Sequence, residues 1–311
     1  MRVLAIDGGG IRGLIPALVL AEVERRTERP VADLFDLIAG TSTGGILACG
    51  LTLAGAGGRP RYAAEELVDL YERDGPRIFH RDLVKRITSA GGWIDERYDD
   101  DGLNDALRRA LGDARLKDAL TPVMITAYDI EGRFAFFFRS QRARRDPAYD
   151  FALWEAARAT SAAPTYFEPY RLTDAAGART YSLIDGGVFA TNPAMCAYVD
   201  AAQEGPVQLL ASLGTGSHTR PYRHDDARGW GQIEWARPLI DIVFDGIADT
   251  IDFQLGALLP RAAFRLQAEL TDASDAMDDA SPANLRALRA TAERLIAERS
   301  REIDDLCERL T

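Results

Sequence analysis

The stretch VLAIDGGGIRGLIPALVL, from Val3 to Leu20, joins a short apolar run to a helix-like one through glycines at positions 8, 9, 10 and 13. A strand ending at Asp7, a glycine turn and a helix beginning near Leu14 aim backbone N–H groups into one small space. The helix macrodipole adds partial positive charge there. Such a space suits an anion, and two candidates fit. Gly8-x-Gly10-x-x-Gly13 has the spacing of a dinucleotide fingerprint, whose anion is a pyrophosphate. The other candidate is the transient oxyanion of a carbonyl under attack.

Outward from this turn, strand-like runs occur at 3–7, 36–40, 123–129, 134–139, 179–184 and 207–213. Helix-like segments occur at 14–26, 45–54, 64–73, 104–111, 153–161 and 192–203. This alternation predicts a three-layer α/β/α fold with a mostly parallel central sheet flanked by helices. AGAGGRP (54–60) and TDAAGART (173–180) read as surface loops, FAFFF (134–138) as a buried strand and RSQRARR (139–145) as a solvated basic loop. Two late helices are expected, an apolar one over 239–259 and an amphipathic one over 285–310. In the first, Ile240, Val243, Phe244, Ile247, Ile251, Leu255 and Leu258 form one stripe, suited either to core packing or to lining a lipid channel.

With 47% apolar and 27% charged residues, the 311-residue chain has globular composition and length for one large α/β domain or two small ones, of which one domain with embellishments is expected. A net charge of −11 argues against a broad nucleic-acid surface and gives no attraction to anionic membranes. Cys49, Cys196 and Cys307 lie far apart, and His80, His218 and His224 are not paired at ligand spacing, so neither a disulfide framework nor a metal site is expected. RYDDDGLND, around Asp99 to Asp101, has a calcium-loop flavour, but Arg97 and Arg108 occupy positions that need carboxylates, and Asp101 suits a helix N-cap instead. The absence of a spanning run and of a secretory leader before the first strand predicts a cytoplasmic protein.

Directly after the second strand comes IAGTSTGGILA (38–48), in which Gly40-x-Ser42-x-Gly44 matches the nucleophile elbow, a serine raised on a sharp strand-to-helix turn. A Walker loop is excluded because no lysine occurs before Lys85. The dinucleotide reading weakens too, since Asp33 and Asp36 stand before or at the very start of the second strand and its end is occupied by Gly40 to Ser42. The glycines therefore favour service to the serine. An activated serine needs a base, and each histidine sits in a loop that reads as surface. Asp185, in SLIDGGVFATNPA (182–194), stands at a strand end before two glycines; it suits either a base or a turn residue that bonds nearby N–H groups.

Asp7-Gly8-Gly9-Gly10-x-Arg12-Gly13, then Gly40-Thr41-Ser42-Thr43-Gly44-Gly45, then Asp185-Gly186-Gly187, in that order, closely resembles the patatin-like phospholipase family. The blocks ARATSAAPTYFEP (157–169), TNPA (191–194) and SLGTG (212–216) belong to the same resemblance. It implies a Ser42–Asp185 dyad without histidine, and an oxyanion hole made by the N–H groups of Gly8, Gly9 and Gly10 with Arg12 beside them. The implied activity is hydrolysis of lipid or phospholipid acyl esters through an acyl-enzyme, with no cofactor. An acyltransferase of related fold, or a nucleotide-binding module using the Gly8 to Gly13 turn, are the alternatives. Transient membrane contact, homo-oligomerisation and activation by a cyclic nucleotide are left open. The resemblance covers residues 1–216 as a catalytic core, with 217–311 expected as a mainly helical part of the same domain.

Overall fold

The structure, a computed structural model, describes residues 1–78, 98, 100–217 and 220–311; His80, Arg97, Asp99 and His218 lie outside them. Eight strands form one sheet: β1 (Arg2–Ile6), β2 (Leu37–Gly40), β3 (Val123–Asp129), β4 (Phe134–Arg139), β5 (Tyr170–Thr173), β6 (Thr180–Asp185), β7 (Leu209–Leu213) and β8 (Ala263–Leu266). Their order is β5-β6-β3-β2-β1-β7-β8, with β4 hairpinned onto β3. The run from β3 through β2, β1 and β7 to β8 is parallel, while β4 and β6 lie antiparallel to β3.

The central strands are buried on both faces, and alternate residues feed two cores. Leu4, Ile6 and Ile38 enter one core; Val3, Ala5, Leu37 and Ala39 enter the other. That period-two division is what a sheet between helix layers requires. The first layer contains α1 (Leu14–Thr27), α2 (Thr43–Thr52), α3 (Ala64–Ile78), α4 (Asp100–Leu111) and α5 (Leu153–Thr160). On the other face lie α6 (Ala194–Ala202) and α7 (Gln232–Leu258), whereas α8 (Pro282–Glu298) and α9 (Ser300–Leu310) return to pack on α1.

Several elements differ from their sequence expectations, each for a physical reason. β5 escapes notice because its pattern is short and mostly outward-facing. β8 escapes because Arg265 interrupts its apolar run. The basic segment after β4 is a short helix, Ser140–Arg145, and not a solvated loop: Ser140 Oγ accepts the Val123 N–H at 2.9 Å, and Arg144 donates to the carbonyls of Lys117 and Ala119. β4 is fully buried only along part of one face, where Phe136 and Phe138 lie inside and Phe134 at its start is exposed; Ala135 and Phe137 on the other face are half-buried. The helix expected over 285–310 is two helices, broken at Arg299 by its non-helical backbone (φ −103°, ψ 19°). α4 begins at Asp100, so Asp101 sits in its first turn and not at its cap. Among the described residues, no cluster of carboxylates, histidines and cysteines could hold a metal ion, and no helix is long and apolar enough to cross a membrane.

Candidate active site

β2 ends at Gly40 and α2 begins at Thr43, leaving two residues to reverse the chain. Ser42 takes the turn at φ 53°, ψ −124°, a conformation that costs a non-glycine residue on the order of 1–3 kcal/mol. The surroundings hold it there. Its N–H donates to Thr160 Oγ1 at 2.8 Å, and its carbonyl accepts the N–H groups of Gly45 and Ile46. The flanking glycines are needed for closeness. A Cβ on Gly40 would stand 2.2 Å from the Gly44 carbonyl oxygen, and one on Gly44 would stand 2.2 Å from the Ile6 carbonyl oxygen.

Asp185 arrives by a route that the sequence conceals. β6 runs against β3 and pairs only with its second half, placing Asp185 opposite Ala127, while Gly40 of β2 lies opposite Ile125 on the same edge of β3. The carboxyl ends of β2 and β6 therefore meet two residues apart, about 7 Å of strand. There the Ser42 hydroxyl faces the Asp185 carboxylate, near enough to favour its charged form, and that carboxylate accepts the Gly187 N–H at 2.7 Å. Complete burial pushes the Asp185 carboxyl up to about 7; the Ser42 hydroxyl and the Gly187 N–H oppose that rise without cancelling it. His224, the described histidine, is exposed and plays no part in this pair.

The glycine turn is more selective than its motif implies. The Gly8 N–H already donates to the Thr191 carbonyl at 2.9 Å, and the Ile11 N–H to the Met277 carbonyl at 2.9 Å. Among the described residues, the N–H groups of Gly9 and Gly10 have no partner. A pyrophosphate would thus meet two donors, enough for one oxygen. Gly8 packs against the serine, its Cβ position lying 3.2 Å from Ser42 Cβ, and Gly10 takes φ +60° with the Met277 carbonyl 2.1 Å from where a Cβ would be. Arg12 is buried behind the turn. Its Nε donates to the Gly9 carbonyl at 3.3 Å and its Nη1 to the Asp275 carbonyl at 3.4 Å. The guanidinium therefore grips the peptide whose other end is the Gly10 N–H.

Ser42, Asp185 and the glycine turn lie in one cleft, which encloses about 900 Å³ of empty space including its open mouth. Its remaining walls are almost wholly apolar, among them Ile46, Leu70, Leu103, Leu107, Phe167 and Phe244. Ser161 also lines it, and its buried Oγ has no partner among the described residues. The arrangement sets a serine hydroxyl, a buried carboxylate and two unpaired N–H groups at the end of an apolar slot.

The family model described as patatin-like phospholipase matches residues 4–198, a span that contains the elbow, the glycine turn and Asp185. The chain belongs to the patatin-like phospholipase family. Patatin-like protein 2 of Arabidopsis thaliana is 35% identical, covering 95% of this chain and 83% of its own length. Patatin-like protein 2 of Oryza sativa subsp. indica is 33% identical over 98% of this chain and 85% of its own. A Solanum tuberosum relative, 32% identical over 95% of this chain and 86% of its own, carries the name probable inactive patatin-3-Kuras 1.

Within this patatin-like frame, several residues that support the site had no role in the sequence reading. Thr160 holds the Ser42 N–H, and Thr191 takes the Gly8 N–H. Thr215 Oγ1 donates to the Gly8 carbonyl at 2.7 Å, and Met277 closes the far side of the turn. The threonines stand inside the blocks 157–169, 191–194 and 212–216, which was the available signal; Met277 had none. A partly buried ion-pair cluster backs the motif. Arg265 joins Asp7 (2.7 Å), Asp252 of α7 (2.9 Å) and Ser212 (3.0 Å), tying the end of β1 to β7, β8 and α7. Burial raises the Asp7 carboxyl to about 6 against the pull of Arg265.

Proposed function

We propose that the protein is a serine acyl hydrolase cleaving fatty acyl esters of phospholipids and related lipids. The observation that carries this reading is the Ser42 hydroxyl set against a buried carboxylate, raised to about 7, at the end of one apolar cleft. An ordinary aspartate is too weak a base to serve serine well at neutral pH. Burial brings Asp185 into the range where histidine usually works.

In the proposed cycle Ser42 Oγ attacks the ester carbonyl carbon while its proton passes to Asp185. The carbonyl oxygen becomes an oxyanion held by the Gly9 and Gly10 N–H groups, with the N-terminus of α2 adding positive potential. Arg12, on the Gly9 carbonyl, orients and polarises the Gly9–Gly10 peptide that supplies one of those donors. The intermediate collapses, the ester C–O bond breaks, and the leaving alkoxide takes the proton from Asp185. Ser161, whose neighbours Thr160 and Ala162 bond Ser42 and Asp185 respectively, offers its free hydroxyl to that leaving oxygen. Water then attacks the acyl-enzyme, giving a proton to Asp185 that returns to Ser42 as fatty acid departs.

The test is labelling with a fluorophosphonate probe followed by peptide mapping, alongside hydrolysis of a soluble short-chain ester. Label on Ser42, absent from Ser42→Ala together with the hydrolysis, is the expected result. Label elsewhere, or full hydrolysis by Ser42→Ala, would end the reading.

A further inference from the structure

α7 carries two apolar faces, and among the described residues only one of them is packed. At 100° per residue, Phe244, Ile251 and Leu255 fall on the side turned to the protein. Phe244 lies 3.1 Å from the Cβ position of Gly187 and lines the cleft; Ile251 and Leu255 join the second core. On the opposite side Trp235, Leu239, Ile242 and Phe253 fall within about 60° of one another around the axis. They are 38%, 52%, 42% and 78% exposed. This second face extends about 27 Å along the helix.

We propose that this outer face of α7 is a docking surface for an uncharged or zwitterionic lipid interface, a proposal that rests on the lipid-ester reading above. Three observations point to that occupant. The face adjoins the cleft: Ile242 lines a hollow that shares Tyr166 and Met277 with the cavity holding Ser42, so a chain leaving the interface meets a continuous wall. The amino-terminal end of the face carries an aromatic cluster, with Trp230–Trp235 ring centroids 5.0 Å apart and Tyr222–Trp230 5.6 Å apart, the residue type that settles at the water–lipid boundary. The flank beside the face is acidic, carrying Asp241, Asp245 and Asp249. That flank and the chain's net charge of −11 repel anionic headgroups, so adhesion comes from apolar contact.

The test uses Ser42→Ala, so that vesicles stay intact and binding is read without catalysis. Its partitioning onto phosphatidylcholine vesicles is compared with that of the same protein carrying Leu239→Ser and Phe253→Ser. The substituted protein is expected to partition at least about tenfold more weakly. With Ser42 restored, the two substitutions should leave the melting temperature and the kcat/KM for a soluble short-chain ester unchanged. Equal partitioning of both proteins, or no partitioning by the parent, would overturn the proposal. So would tighter binding to phosphatidylglycerol than to phosphatidylcholine vesicles at low salt. A concentration-dependent dimer abolished by the two substitutions would assign the face to a second copy instead. Because binding is read on a protein without the nucleophile, loss of the hydrolase reading and loss of the docking face are separate results.

Discussion

Replacing Asp185 by asparagine tests the base and its environment together, and the pH dependence supplies the magnitude. With its carboxyl raised to about 7, Asp185 is about 10% ionised at pH 6 and about 1% at pH 5. If its ionised form is the base, kcat/KM for a soluble short-chain ester rises about tenfold from pH 5 to 6, about fivefold more by pH 7, and levels off by about pH 8. An aspartate at the ordinary value of 3.8 would leave that range flat. Asp185→Asn should lower kcat by roughly 10²- to 10⁴-fold at pH 8 and abolish the slope. Stability moves in the opposite sense. A carboxyl raised in the fold binds its proton more tightly there than in the unfolded chain, so its contribution is full below about pH 4 and is lost as pH rises toward 7. The loss approaches about 4 kcal/mol for a shift of about three units. Asp185→Asn cannot lose it, and Asp7, raised in the same direction, is common to both proteins and cancels in their difference. Chemical denaturation at pH 4.5 and pH 7.5 measures the difference. A flat activity profile from pH 5 to 8, or a wild-type stability that tracks the variant at both values, would refute the tuned-carboxylate argument.

Further expectations concern the rest of the site. Arg12→Ala should lower kcat far more than it raises KM, by up to about 3 kcal/mol of barrier, because its partner peptide supplies a donor used most when charge develops; a pure KM effect in steady-state kinetics would mark a substrate contact instead. Gly9→Ala, whose Cβ would sit 2.3 Å from Thr215 Oγ1, should displace the turn and reduce probe labelling of Ser42 while circular dichroism reports a folded protein. Ser161→Ala should keep or raise the melting temperature, since it removes an unpaired buried hydroxyl, yet slow alkyl esters more than nitrophenyl esters, whose leaving groups need no donor; equal slowing of both would contradict its role toward the leaving oxygen.

The sequence by itself determined the parts of this protein that are local. Glycines at 8, 10, 40 and 44 announce places where backbone must turn sharply or approach closely, and both demands act within a few residues of chain. That is why the elbow at Ser42, the turn after β1 and the carboxylate at the end of β6 could be read from letters alone, together with the alternation that gives an α/β sheet. What only the tertiary structure decided is which of these groups face one another and which are already spoken for. Asp185 reaches Ser42 because β6 runs against β3 in a register that stops at Ala127, and strand register is set by packing of both faces, not by the strand's own residues. The same holds for Gly8, whose N–H is taken by Thr191 from the far side of the sequence, and for Arg12, which folds behind the turn onto the Gly9 carbonyl. Even the stripe on α7 was half the story. Periodicity reveals that a face is apolar, but two such faces look alike in sequence until one of them finds a core.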